Sequence, residues 1–282
     1  MTQPTSHNSL TRREFLCGWF PFFWRRNRVT LDGIPFRTVR RGRSSFSYLL
    51  IHGNEETARE VLLEHMRRHQ GVAHLVAGHG RYIGLAGGRF DPNRIFSHEG
   101  AEKNLRALNP RWDAARLAGA LARLDRGREK LVRAILPPPG GLLIALHNNS
   151  RGYSVRDEAP VSDRVSLADA SNPRDFMLCT AVEDYAALAR SPFNVVLQNA
   201  GPPDDDGSLS RLAARLGVRY VNIEVALGNR TRQREMLAWV IANRPEGGMA
   251  SALPEALRPG HVPPVGGGFF GGARGGPAQF AG

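Results

Sequence analysis

The feature that most constrains this chain is a series of short apolar runs separated by helix-length segments, several of which end at or carry a residue that strands seldom bury. The run 47–51 stops at His52-Gly53, and the run 142–146 stops at His147. Glu224 lies inside the apolar run Tyr220-Val221-Asn222-Ile223-Glu224-Val225. Further strands are predicted over 72–77, 195–198 and 219–227, with a hairpin or edge strand over 29–39. Between them, 55–69 has helical spacing, with Val61, Leu62 and Met66 on one face. A long Ala/Leu/Arg helix over 112–135 is stopped by Pro137-Pro138-Pro139. Shorter helices are expected over 181–189, over 208–216 with Asp206 as the N-cap, and over 231–242. Strands alternating with helices of this length predict an α/β fold. Its sheet is expected to be mixed, mostly parallel and flanked by helices on both faces, within a single domain over 28–243.

Composition supports a folded body between two unlike ends. The chain has 282 residues, 41% of them hydrophobic, enough to bury a core. The formal net charge is +12. From Arg12 to Arg43 nine Arg stand against Glu14 and Asp32, a balance of +7, so the basic excess is concentrated at the start. Such an arm suits an anionic surface, including a membrane surface contacted peripherally. The body lacks a Lys/Arg stripe with interleaved aromatics, so no dedicated nucleic-acid module is expected. Within residues 1–27, Arg12-Arg13-Glu14-Phe15-Leu16 resembles a twin-arginine export signal. The apolar run after it is short, contains Pro21, ends in Arg25-Arg26 and precedes no small-residue cleavage site. The localisation reading therefore leans to the cytoplasm, with twin-arginine export as the alternative. No run of about 18 apolar residues predicts a membrane span. Residues 244–282 hold eleven Gly and six Pro and are expected to form a disordered tail. Cys17 and Cys179 are the only cysteines, too few for a disulfide scaffold or a thiolate metal cage.

In an α/β sheet, ligands gather outside the carboxyl ends of the strands, where His52, His147 and Glu224 are expected to lie. His52 and Glu55 can reach one ion if the chain turns between them, and Gly53 permits that turn. A third ligand from a distant strand would leave one coordination position open, the arrangement of catalytic zinc. A His-x-x-Glu alone is weak, since roughly half a match is expected by chance from composition. A carboxylate at Glu224 calls for a partner: a metal, a metal-bound water or an Arg.

The ordered set is more specific than its parts. His52-Gly53-Asn54-Glu55, Asp91-Pro92-Asn93-Arg94-Ile95-Phe96, a strand-ending His147 and a strand-borne Glu224 follow in that order. Over residues 45–230 this resembles the zinc carboxypeptidase superfamily, and within it the aspartoacylase and succinylglutamate desuccinylase branch. The resemblance implies one Zn2+ per chain on His52, Glu55 and His147. It implies Glu224 as general base and Asn93 with Arg94 as holders of a substrate carboxylate. It also implies an oxyanion-stabilising Arg, either Arg81 or Arg89, with Arg81 preferred for Arg81-Tyr82-Ile83. The implied activity is hydrolysis of an amide next to a carboxylate, in an N-acyl amino acid or at a peptide C-terminus. The alternative is an inactive binding protein of the same fold.

Pro92 departs from the Leu usual in that motif. Tyr153 and Tyr220 are candidates for the mobile tyrosine of carboxypeptidases. Asp204-Asp205-Asp206 is either a solvated loop or a selector of a cationic substrate group. The charged stretch 148–184 is a candidate specificity loop.

Overall fold

The computed structural model describes residues 28–31, 34–149, 152–200 and 204–245. The basic arm over 1–27, with its export-like motif, lies outside the described residues, as does the Gly/Pro-rich stretch from 246 onward.

A hairpin opens the fold: β1 (Arg28–Leu31) and β2 (Ile34–Arg41). β3 (Phe46–Leu50) leads into α1 (Glu56–Arg68), and β4 (Gly71–Val76) follows. A two-stranded excursion, β5 (Ile83–Leu85) and β6 (Gly88–Phe90), ends at a single 3-10 turn over Pro92–Arg94. Then come α2 (His98–Leu108), α3 (Ala114–Ile135) and β7 (Leu142–Asn149). After β7 lie α4 (Val155–Glu158), β8 (Arg164–Ser166), β9 (Phe176–Cys179), α5 (Val182–Leu188) and β10 (Asn194–Leu197). The last elements are α6 (Leu209–Leu216), β11 (Tyr220–Ala226) and α7 (Arg230–Asn243).

The nine-stranded sheet runs β1-β2-β4-β3-β7-β11-β9-β10-β8. Its centre, β4-β3-β7-β11, is parallel, and antiparallel pairings flank it on both sides. Strand alternation divides the core. Leu49 joins residues of α2, α3 and α6 on one face, while Tyr48 and Leu50 join residues of α1 and α7 on the other. A central strand covered on both faces must be apolar at nearly every position, and every residue of β7 is buried.

Two expectations need correction. His147 does not end its strand, because β7 continues through Asn148 and Asn149. Those polar residues are tolerated because they are bonded: Asn148 Oδ1 accepts from the Ala58 N–H at 2.8 Å, Asn148 Nδ2 donates to Gln233 at 2.8 Å, and Asn149 Nδ2 donates to Arg174 O at 2.7 Å. Asp206 is not the N-cap of α6. Ser208 takes that position, and Asp206 accepts from the Ser208 backbone N–H at 2.9 Å. The sequence reading also assigned no element to α2, α4, β5, β6, β8 or β9. Except for α2 these are very short, and their periodicity is too brief to register.

Candidate metal centre

The central strands deliver their side chains to one cavity of about 440 Å³ outside the carboxyl ends of β3, β7 and β11. His52 follows β3 by two residues. The chain then turns at Gly53, whose N–H donates to Gly80 O at 2.9 Å. A Cβ at position 53 would lie 2.6 Å from the Gly78 carbonyl oxygen, so only glycine fits without displacing backbone. The turn places Glu55 at the N-cap position of α1, where its side chain makes no cap hydrogen bond. It points instead at two imidazoles.

His52 Nδ1 lies 2.8 Å from Glu55 Oε1, and His147 Nδ1 lies 3.3 Å from the same oxygen. Candidate ligand atoms of all three residues fall within 4.8 Å of one another. Exposures of 1%, 2% and 3% for His52, Glu55 and His147 put the cluster out of bulk solvent. Two observations fit it to a metal ion. Glu55 Oε2 is buried and makes no hydrogen bond, although His147 Nδ1 stands 3.2 Å away. Both rings also aim the same nitrogen at one carboxylate, an arrangement a cation satisfies without placing a proton on each. Two imidazoles and a carboxylate gathered out of bulk solvent are a donor set that could hold a divalent metal ion.

The electrostatics follow from burial against charge. Desolvation pulls the His52 imidazole down, but hydrogen bonds to Asp91 and Glu55 outweigh it and raise its pKa to about 9. Desolvation pushes the Glu55 carboxyl up, and the facing histidines overcome this to hold it at about 2. Such mutual reinforcement marks an excess of negative charge around the two rings.

Asp91 is the residue the sequence reading missed, although it opens the Asp91-Pro92-Asn93-Arg94 motif. Its Oδ1 accepts from His52 Nε2 at 2.8 Å and from the Asn93 N–H at 2.9 Å. It thereby fixes the His52 ring with Nδ1 toward Glu55, the usual arrangement behind a ligating histidine.

Glu224 is buried on β11, in register with His147 on the adjacent parallel strand. Asn222 Nδ2 donates to it at 3.2 Å. Desolvation is the main cause raising its pKa above the ordinary carboxyl value, with His147 opposing and Glu55 adding to it. Tyr220 lines the cavity from the same strand face, as two-residue alternation predicts. Tyr153 also lines it, with its hydroxyl donating to Glu158.

Arg81 Nη2 lies 3.2 Å from Asp91 Oδ2, and its Nη1 lies 3.8 Å from Glu55 Oε1, so this guanidinium borders the cluster. Arg89 does not line the cavity; its guanidinium stands over the Tyr82 ring, 5.6 Å from the centroid. Asn93 and Arg94 both line the cavity. Arg94 Nη1 is paired with Asp206 Oδ2 at 2.8 Å, a partner not anticipated from sequence. The other two acids of that run also face cations, Asp205 facing Arg215 and Asp204 lying 3.6 Å from Lys103. Residues of the 148–184 stretch reach the cavity through Asn148, Asn149, Tyr153, Glu158 and Leu178. Glu158, Gln198 and Arg211 are cavity residues for which the sequence carried no signal.

No protein-family model and no curated protein matches this chain. Solved structures that do match include a candidate metallopeptidase from Shewanella denitrificans OS217, at 14% identity and TM-score 0.37, covering 74% of this chain and 77% of that one. The apo ectoine utilization protein EutE (DoeB) from Ruegeria pomeroyi matches at 13% identity and TM-score 0.38. A succinylglutamate desuccinylase from Silicibacter sp. TM1040 matches at 13% and 0.35. This chain spans 60% of the length of each of the last two. The desuccinylase comes from the branch that the motifs resemble, but superpositions this loose carry no argument about chemistry.

Proposed function

We propose that this chain is a metal-dependent hydrolase that cleaves an amide bond next to a carboxylate. The observation that carries this reading is the buried His52-Glu55-His147 cluster, with the Glu224 carboxylate in register beside it. The ligands would be His52, Glu55 and His147, and one zinc per chain suits that donor set. When bound, such an ion supplies Lewis acidity, making a water acidic enough to attack near neutral pH and polarising the scissile carbonyl.

The remaining steps belong to this chain's own side chains. Glu224 takes a proton from the attacking water as oxygen bonds to the carbonyl carbon. It then gives that proton to the amide nitrogen as the C–N bond breaks. A carboxyl with a raised pKa suits both halves of that transfer. Arg81, whose guanidinium lies beside Glu55 and Asp91, would face the developing oxyanion. Asn93 and Arg94 supply donors for a substrate carboxylate, which orients the amide over the cluster. The products are a carboxylic acid and an amine. The small, polar-lined cavity fits an N-acyl amino acid or the end of a peptide.

Elemental analysis of the purified chain, wild type against His147→Ala, tests this. About one zinc per chain, lost in the variant, together with turnover of N-acyl amino acids or peptides, supports the reading. A folded protein that takes up no stoichiometric metal sinks it.

A further inference from the structure

Glu55 occupies the N-cap position of α1 but makes no cap hydrogen bond, because its carboxylate faces His52 and His147. A helix start needs acceptors for its first backbone N–H groups, and an N-cap side chain usually serves the N–H of the second or third helical residue. Here the third is Ala58, and its N–H donates to Asn148 Oδ1 at 2.8 Å. Asn148 directly follows the candidate ligand His147 on β7. The strand therefore supplies the acceptor that Glu55 withholds from its own helix.

Asn148 is held in turn from α7. Its Nδ2 donates to Gln233 Oε1 at 2.8 Å, and Gln233 Nε2 donates to the His147 carbonyl oxygen at 3.1 Å. Both side chains are buried, Gln233 completely. Apolar packing surrounds them, with Ala58 and Val61 of α1 in one cluster with Met236 and Leu237 of α7. The direction of each bond is set from the two ends of the chain of amides. The Ala58 N–H can only donate and the His147 carbonyl can only accept, so neither amide can turn over without setting like groups against each other. A buried polar network of this kind specifies one arrangement when every member is satisfied, and each side-chain oxygen and nitrogen of the pair has its partner.

We propose that the Gln233–Asn148 pair is the positioning device of the metal cluster. Through Asn148 it holds the first turn of α1, and with it Glu55. Through the His147 carbonyl it holds the peptide from which the His147 side chain departs. Both are positioning residues, since neither belongs to the clustered ligand atoms and Gln233 does not line the cavity. The proposal rests on the reading of His52, Glu55 and His147 as metal ligands, and on no claim about turnover. Groups that orient metal ligands typically contribute about 10- to 100-fold to metal affinity.

The test uses the full-length chain, stripped and reloaded with Zn2+ or Co2+. Competition with a chromogenic chelator reads zinc affinity, and the visible absorption of the Co2+ form reports how the ligands are arranged. Gln233→Met keeps the length of the side chain and removes both bonds. Its zinc affinity should fall by about 10- to 100-fold, with an altered Co2+ spectrum. Val240→Ala, at a buried position on the same helix, lowers stability without touching the pair. It should keep the wild-type affinity and spectrum, with urea unfolding of the metal-free chains gauging the stability lost in each. Gln233→Glu keeps an acceptor for Asn148 but offers the His147 carbonyl no N–H, and should show a smaller loss. It carries the same comparison if Gln233→Met does not fold. Wild-type zinc affinity and Co2+ spectrum in the folded Gln233 variants, or equal changes in Val240→Ala, overturn the proposal. Metal uptake that depends on Gln233, without cleavage of any amide, would sink the hydrolase reading and leave the pair its role. A wild type that takes up no metal would sink both.

Discussion

His52 and Asp91 are joined by a 2.8 Å hydrogen bond from Nε2 to Oδ1, and that bond decides which ring nitrogen His52 presents to Glu55. The two residues come from separate excursions at the carboxyl end of the sheet, one after β3 and one after β6. Partners behind ligating histidines typically contribute 10- to 100-fold to metal affinity. Asp91→Ala should therefore weaken zinc binding by about 10- to 100-fold without unfolding the chain. Competition with a chromogenic chelator reads this directly, and unchanged affinity would remove Asp91 from the site.

Glu224 faces the same cavity but is not among the clustered ligand atoms. Glu224→Gln preserves its shape and removes its proton chemistry. Zinc content should stay near one per chain, while kcat should fall by about 10²- to 10⁴-fold. A variant that retains full kcat would require a different base.

Gly53 tests the turn rather than the chemistry. Gly53→Ala drives a methyl to within 2.6 Å of the Gly78 oxygen, and relieving that contact must shift backbone on one side. A destabilisation of about 1–3 kcal/mol is expected, accompanied by reduced zinc occupancy because His52 and Glu55 flank the turn. Urea unfolding followed with metal analysis measures both. Normal occupancy in the variant would show that the ligands tolerate a different turn.

His74, remote from the cluster, makes stability depend on pH. It is 3% exposed on β4, and its Nδ1 meets the Thr38 hydroxyl at 3.2 Å. Burial, the leading cause, lowers its pKa from 6.5 to about 4. The unfolded chain thus binds the proton more readily than the folded one. The contribution is fully present above pH 6.5 and is lost as pH falls through about 4. The full linkage is on the order of 3 kcal/mol. Urea midpoints measured between pH 7 and 4 should fall, and His74→Leu should flatten that dependence. An unchanged slope in the variant would assign the acid sensitivity elsewhere.

Much of this architecture was legible in the chain because the central strands are buried on both faces and so read as continuous apolar runs. α1 and α3 were equally plain: Val61, Leu62 and Met66 mark one buried face, and α3 closes at Ile135, just before Pro137. His52, Glu55, His147 and Glu224 stood out as polar residues where such runs end or are interrupted. The short elements β5, β6, α4, β8 and β9 were not legible. They owe their form to long-range partners, such as the antiparallel pairing of β8 with β10, rather than to a local period.

The sequence by itself determined the α/β alternation, the order of the candidate ligands and the glycine that lets two of them converge. All are local properties of spacing and residue type. Tertiary structure alone decided that Asp91 orients His52, that Arg81 rather than Arg89 reaches the cluster, that Asp206 engages Arg94 instead of capping α6, and that the buried Arg211 meets no counter-charge among the described residues. These outcomes depend on which distant side chains share one low-dielectric cavity. The sequence records the identities of those groups, but the strand order sets the distances and desolvation between them, and these decide which charges are paired.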